Sequence, residues 1–157
     1  MNARAASNID AANVLGHFIN GEEVGDANRP EPVTNPATGE ISRHVAMASK
    51  QTVELAIAAA QAAYPAWRDT PPAKRARIMF RFKQLLEEHA DEIAAAITDE
   101  HGKVLDDATG EFGRGVEVVD YACGIPELLK GEYARNVGPG IDSWSDHQPL
   151  GVVAGIT

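Results

Sequence analysis

The chain has 157 residues, 44% of them hydrophobic, and 14 Lys and Arg against 23 Asp and Glu give a formal net charge of −9. That length gives one ordinary domain enough chain for a core, and the acidic balance disfavours nucleic acid, since it repels phosphates and no Lys/Arg cluster offsets it. One cysteine, Cys123, excludes an intrachain disulfide and any cysteine-based zinc site.

Residues 1–16 read as a flexible polar leader without the apolar centre of a signal peptide. No apolar run reaches the roughly 20 residues needed to cross a bilayer. The expectation is a soluble, cytoplasmic protein without a membrane partner. From His17 to Ala48 the text is β-like. Phe18-Ile19 runs into Asn20-Gly21, a hairpin-turn dipeptide, and then into Val24. Pro30, Pro32 and Pro36 break any helix, and Asn35-Pro36-Ala37-Thr38-Gly39 supplies a second turn before a strand over Glu40–Ala46.

At Ser49 the period changes to that of a helix. Val53, Ala56, Ile57, Ala60, Tyr64 and Trp67 line one face of a helix capped by Ser49 and ended by Pro65. Thr70-Pro71 starts a second, with Arg75, Ile78, Met79, Phe82, Leu85, Leu86 and His89 inward. A third runs from about Asp91 with Ile93, Ala94 and Ile97 inward, and Gly102 stops it. Leu105, Ala108, Phe112, Val116, Val119 and Cys123 trace a fourth, which tolerates Gly110, Gly113 and Gly115 at about 1 kcal/mol each relative to alanine. Pro126 ends or kinks it, and a further turn follows over Glu127–Lys130. Beyond Gly131 the period falls to two: Glu132–Val137 and Ile141–His147 form a ribbon around Gly138-Pro139-Gly140. Gly151–Thr157 is a near-continuous apolar run of the kind a buried parallel strand makes. A strand with no following layer is an odd finish for a domain, so the sequence reads as a fragment.

Few motifs carry chemistry. Gly110-x-x-Gly113-x-Gly115 lacks the preceding strand of a dinucleotide loop, and close helix packing is the better reading of its glycines. Asp99, Glu100, Asp106 and Asp107 read as solvated helix ends, and no metal site is expected. The five histidines show no two-ligand helical spacing, and Cys123 reads as core. Arg114 differs in kind, standing among Asp106, Asp107, Glu111, Glu117 and Asp120. It serves either as an ion-pair partner of Glu111 or Glu117 three residues away, or as a guanidinium fork for an anionic ligand.

Taken together, Phe18-Ile19-Asn20-Gly21, Asn35-Pro36-Ala37-Thr38-Gly39-Glu40, the Ala-rich helix closing on Trp67, Arg75, Glu100-x-Gly102-Lys103 and Pro149-x-Gly151-Val152-Val153 resemble the aldehyde dehydrogenase superfamily. Glu111-x-x-Arg114-Gly115-x-Glu117-x-Val119, Gly131-Glu132 and Gly155-Ile156-Thr157 look most like its CoA-acylating, methylmalonate-semialdehyde branch.

The resemblance implies an α/β fold overall. This part would be mostly helical, with short N-terminal strands, a β-ribbon and the first strand of the cofactor-domain sheet. It implies residues 17–131 as strands and helices of the NAD-binding domain, 132–148 as an oligomerisation ribbon and 149–157 as the first strand of the NAD-binding sheet. Such enzymes are roughly three times as long, so the nucleophilic cysteine, the oxyanion-hole asparagine and the cofactor lysine would lie outside this chain. No catalytic residue is then expected within it, and the chain alone would be inactive. The implied activity is NAD-dependent oxidation of a small semialdehyde, with coenzyme A as acyl acceptor and loss of carbon dioxide. Arg114 would hold the substrate carboxylate, Ile156 and Thr157 would sit beside the cofactor, and the complete protein would be a homo-oligomer, dimer or tetramer. A hydrolytic aldehyde dehydrogenase and a non-catalytic helical interaction domain stay open as alternatives.

Overall fold

The computed structural model describes residues 14–26 and 29–156. Seven strands and five helices follow in order: β1 (Val14–Leu15), β2 (His17–Ile19), β3 (Glu22–Val24), β4 (Pro30–Thr34), β5 (Ile41–Ala46), α1 (Lys50–Asp69), α2 (Pro72–Glu88), α3 (Ala90–His101), α4 (Leu105–Cys123), α5 (Ile125–Leu128), β6 (Tyr133–Gly138) and β7 (Ile141–Trp144). They part into two compact units, one running through Ala62 with Ala96–Val104, the other joining Ala63–Ala95 to the stretch from Leu105 onward.

In the first unit β2 and β3 form the expected hairpin. Asn20 and Gly21 both take positive φ, at 55° and 84°, which suits the right-handed twist of the flanking strands. A second sheet has the order β1-β5-β4, with β1 parallel and β4 antiparallel to β5. Val14 and Leu15, expected inside the leader, thus pair with His44 and Val45, while residues 1–13 lie outside the described part. The strand β4 was hidden by its prolines. It lies at the sheet edge, where Pro30 and Pro32, two apart, share one side of the strand and can leave their missing N–H groups outward. The Asn35–Gly39 turn forms as expected: the Asn35 side chain accepts from Ala37 N at 2.9 Å, and Gly39, at φ 75°, donates to Asn35 O at 2.8 Å.

Helix α1 begins at its expected cap, Ser49 Oγ accepting from Thr52 N at 3.2 Å. Behind that cap lies Asp26, a buried carboxylate that accepts from Ser49 N at 2.7 Å and from the Thr52 hydroxyl at 2.8 Å. Pro65 does not end the helix. It forfeits one backbone bond, and the chain stays helical to Asp69, where Thr70 N reaches Trp67 O and the Thr70 hydroxyl reaches Ala66 O. Thr70 therefore closes α1 and does not open α2, whose first residue is Pro72, one position later than expected. Helix α3 stops at Gly102 as predicted, with φ at 75° and Gly102 N donating to Thr98 O at 2.9 Å. The Arg43 guanidinium pairs with Asp99, tying β5 to this helix end.

In the second unit α2 packs on α4 and α5. The α4 stripe is the expected one: Ala108 and Cys123 are buried, Phe112, Val116 and Val119 half-buried, and only Leu105 is exposed. On α2 the covered stripe is Ala76, Met79, Lys83 and Leu86, whereas Ile78, Phe82 and Leu85, expected inward, form a second apolar stripe left open. Lys83 bridges Glu87 at 2.9 Å and Asp120 of α4 at 3.4 Å, and the Glu87 hydrogen bond raises its pKa. Of the predicted face of α1, Ala56 and Tyr64 are half-buried, whereas Val53, Ile57, Ala60 and Trp67 are exposed, and the helix has no fully buried residue. The deeply buried side chains are small ones, Ala46, Ala76, Ala94, Ala108 and Cys123, with Asp26.

The ribbon forms from β6 and β7, antiparallel, with Tyr133 opposite Trp144. The run Gly151–Thr157 corrects an expectation. Its described residues form no strand, and Val153 and Ile156 are exposed. A parallel strand exists only through ladder bonds to neighbours, and among the described residues none pairs with it.

Candidate functional site

Arg114 lies midway along α4, on the side away from the covered stripe, and it is exposed. The two acidic residues that the sequence offered it as ion-pair partners, Glu111 and Glu117, lie three residues away on the same helix. Its neighbours Gly113 and Gly115, and Gly110 one turn earlier, have nothing within 4 Å of where a Cβ would stand. Close helix packing, the expected reason for these glycines, is therefore not what they serve in this structure. They keep the backbone around Arg114 clear of side-chain bulk, so a ligand could approach the guanidinium along the helix surface. The three glycines sit inside helix, which also removes the phosphate-loop reading, because that loop needs its amides free.

The remaining predicted site residues are not brought near a built pocket. Ile156 stands at 101% relative exposure, and Thr157 lies outside the described residues. The described residues alone do not fit a nicotinamide dinucleotide. The one glycine motif is helical, and no sheet edge stands beside Ile156. Among the described residues no three His, Cys, Asp or Glu side chains converge as metal ligands. No helix is long and apolar enough to span a membrane. Cys123 is buried at the end of α4. What the sequence could not signal is the open space around Gly113 and Gly115, since a helical glycine in packed and in open surroundings reads alike.

Known proteins resemble the chain along nearly all of it. The aldehyde dehydrogenase family model matches residues 24–157. A malonate-semialdehyde dehydrogenase of Pseudomonas aeruginosa is 60% identical over 143 residues, which are 91% of this chain and 29% of that protein. The crystal structure of a methylmalonate-semialdehyde dehydrogenase from Oceanimonas doudoroffii superposes with a TM-score of 0.84 at 63% identity, covering 87% of this chain and 28% of the other. A second such enzyme, from Sinorhizobium meliloti and complexed with NAD, gives 0.83 at 45% identity over 88% and 28%. The chain thus spans under a third of the length of the relatives it matches. With the α/β architecture and the motif order expected of that fold, it belongs to the aldehyde dehydrogenase family.

Proposed function

We propose that this chain serves in an NAD-dependent, CoA-acylating dehydrogenase of malonate or methylmalonate semialdehyde, and that its own contribution is Arg114, which holds the substrate carboxylate. The observation that carries this reading is the exposed guanidinium on a glycine-cleared stretch of α4. An arginine fork matches a carboxylate with two parallel charge-assisted bonds, and a held carboxylate fixes where the aldehyde carbon lies. The names carried by the relatives support a semialdehyde bearing an acid group. NAD as hydride acceptor is supported by the relative complexed with it. Coenzyme A as acyl acceptor is what the resemblance of the motif around Arg114 to the CoA-acylating branch implies for the whole protein. Ile156 and Thr157 would meet the cofactor only with further strands beside them. The exposed ribbon is proposed as an oligomerisation element, in line with the family resemblance of Gly131-Glu132.

The test is Arg114→Leu in a dehydrogenase of the relatives' length that carries this segment. Leaving a carboxylate unpaired in a water-poor site costs about 3–4 kcal/mol, which is roughly two to three decades in kcat/KM for methylmalonate semialdehyde. Propanal shares the reacting carbon and lacks the carboxylate, so its kcat/KM should hold. Equal losses for both aldehydes would remove Arg114 from the substrate site. Gly113→Ala separates clearance from stability. It should favour the helix by about 1 kcal/mol while lowering kcat/KM for the acid-bearing substrate.

A further inference from the structure

A cleft of about 380 Å³ opens in the second unit between the start of α2 and the segment after the ribbon, lined by Arg68, Pro72, Arg75, Leu129, and residues Asp146 to Pro149. Its charged groups are unequally engaged. Arg68 is closed on itself, its Nε and Nη2 bonded to the two oxygens of Asp69 at 2.7 and 3.2 Å. Arg75 lies over the Trp67 ring, its carbon 5.9 Å from the ring centroid, and its buried Nε has no hydrogen-bond partner among the described residues. Stacking on a ring occupies the face of a guanidinium and, with Nε buried, leaves the in-plane N–H groups of its outer Nη atoms for an oxyanion. Helix α2 begins at the same cleft with Pro72, and its cap, Pro71, supplies no side-chain acceptor to the first turn.

Asp146 also lines the cleft, and among the described residues it forms no ion pair with Arg75. Its Oδ2 accepts from the Gln148 amide. Arg68 with Asp69 sums to zero, and Arg75 with Asp146 sums to zero, so a bare anion gains little net attraction. A ligand carrying both charges satisfies both walls, and Leu129 and the two prolines give its carbon skeleton apolar contact. We propose that this cleft binds a small zwitterion, an amino acid by chemical class, with its carboxylate on Arg75 and its ammonium on Asp146. The site goes beyond the semialdehyde reading and does not depend on it.

A matched three-carbon series tests the charge assignment: β-alanine, propanoate and propylamine, each titrated into the chain carrying Trp144→Phe, which leaves Trp67 as sole tryptophan reporter. β-Alanine should saturate the Trp67 signal and the Arg75 Nε–H resonance, with at least roughly tenfold tighter binding than either single-charge analogue. Asp146→Asn, an exposed substitution that leaves the helices untouched, should erase the preference for β-alanine over propanoate. Arg75→Gln should abolish both. Failure of β-alanine to saturate, propanoate binding equally well to the unsubstituted cleft, or an unchanged preference in Asp146→Asn would each overturn the proposal. None of these outcomes bears on Arg114.

Discussion

Of the antiparallel strand pairs among the described residues, β4–β5 and β6–β7 have surroundings that could hardly differ more. In β4–β5 the inner strand half-buries Arg43, His44 and Val45 and buries Ala46. It is paired on both edges, and Arg43 reaches Asp99. Asp26, in the same unit, fixes the start of the helix that follows. In β6–β7 every residue except Gly138 is exposed, Trp144 at 74%. That ribbon is held by its own bonds: Ser145 N to Glu132 O at 2.9 Å, Glu132 N to the Ser145 hydroxyl at 2.8 Å, and the Asp142 carboxylate reaching back to Asn136 N at 2.9 Å and to the Tyr133 hydroxyl. A two-stranded ribbon is marginal in water unless something covers a face. The same secondary structure thus rests on burial in one place and on local hydrogen bonds in the other, and the second carries the large apolar and aromatic side chains of Tyr133, Val137, Ile141 and Trp144 exposed, as an association surface would.

The ribbon should break first at its base. A Cβ on Gly131 would stand 1.9 Å from Ser145 O, a backbone atom that cannot step aside. Gly131→Ala should therefore separate the two ends of the ribbon at a cost of about 3 kcal/mol. Faster amide exchange of Ser145 and Glu132, with the exchange of β4–β5 unchanged, is the expected readout, and unaltered exchange at the base would show that the ribbon does not depend on that approach. The next effect belongs to the buried pair. Asp26→Ala removes the acceptor for Ser49 N and for the Thr52 hydroxyl, both partly buried, and should cost about 2 kcal/mol. The loss should appear as fraying of the first turn of α1 and a lower Tm, with the ribbon's exchange untouched. If the ribbon loosened as well, the two pairs would not be independently stabilised.

How far the sequence reached can be read from the same two pairs. The turns were legible where one residue type decides the backbone: Asn20-Gly21, Gly39, Gly102 and Gly140 all adopt the positive φ their turns require. The helix ends at Ser49 and Gly102 and the covered stripe of α4 were legible for the same local reason. Strand β4 was not, because proline argues against a strand unless its edge position is known, and an edge position is a property of the sheet. The inward faces of α1 and α2 were only partly right, because periodicity says that an apolar stripe exists and not how much of it is covered: Ala56, Tyr64, Met79 and Leu86 are half-buried, but Val53, Ile57, Phe82 and Leu85 are exposed. Ile78, at 53% exposure, belongs to a stripe that stays exposed, while the small Ala76 is buried. The Gly151–Thr157 run failed for a related reason, since a buried strand needs its sheet. At the candidate site Arg114 stood out by its charge among acids, but the emptiness around its flanking glycines is a fact of packing.

The smallest expected effect separates the two pairs by pH. The hydrogen bond from Tyr133, and after it the one from Asn136 N, hold the Asp142 carboxyl below its ordinary pKa, and the same bond to Asp142 raises that of the Tyr133 hydroxyl. A carboxyl depressed in the folded ribbon contributes stability above its unfolded pKa of about 3.9 and loses it as pH falls through the lower folded value. A phenol raised in the folded ribbon contributes fully below its unfolded pKa of about 10 and loses that as pH rises through the higher folded value. The ribbon's contribution should therefore be flat between these limits and fall away on both sides. Both groups are open to water, so the change will be slight and damped by salt. It is best read from Tyr133 and Trp144 resonances, not from global unfolding. Tyr133→Phe should remove the alkaline limb entirely and shift the acid limb upward, because Asp142 then keeps only its bond from Asn136. Neither limb should appear in the resonances of β4–β5, where no such pair exists among the described residues. An alkaline limb surviving Tyr133→Phe would mean that another group governs the ribbon.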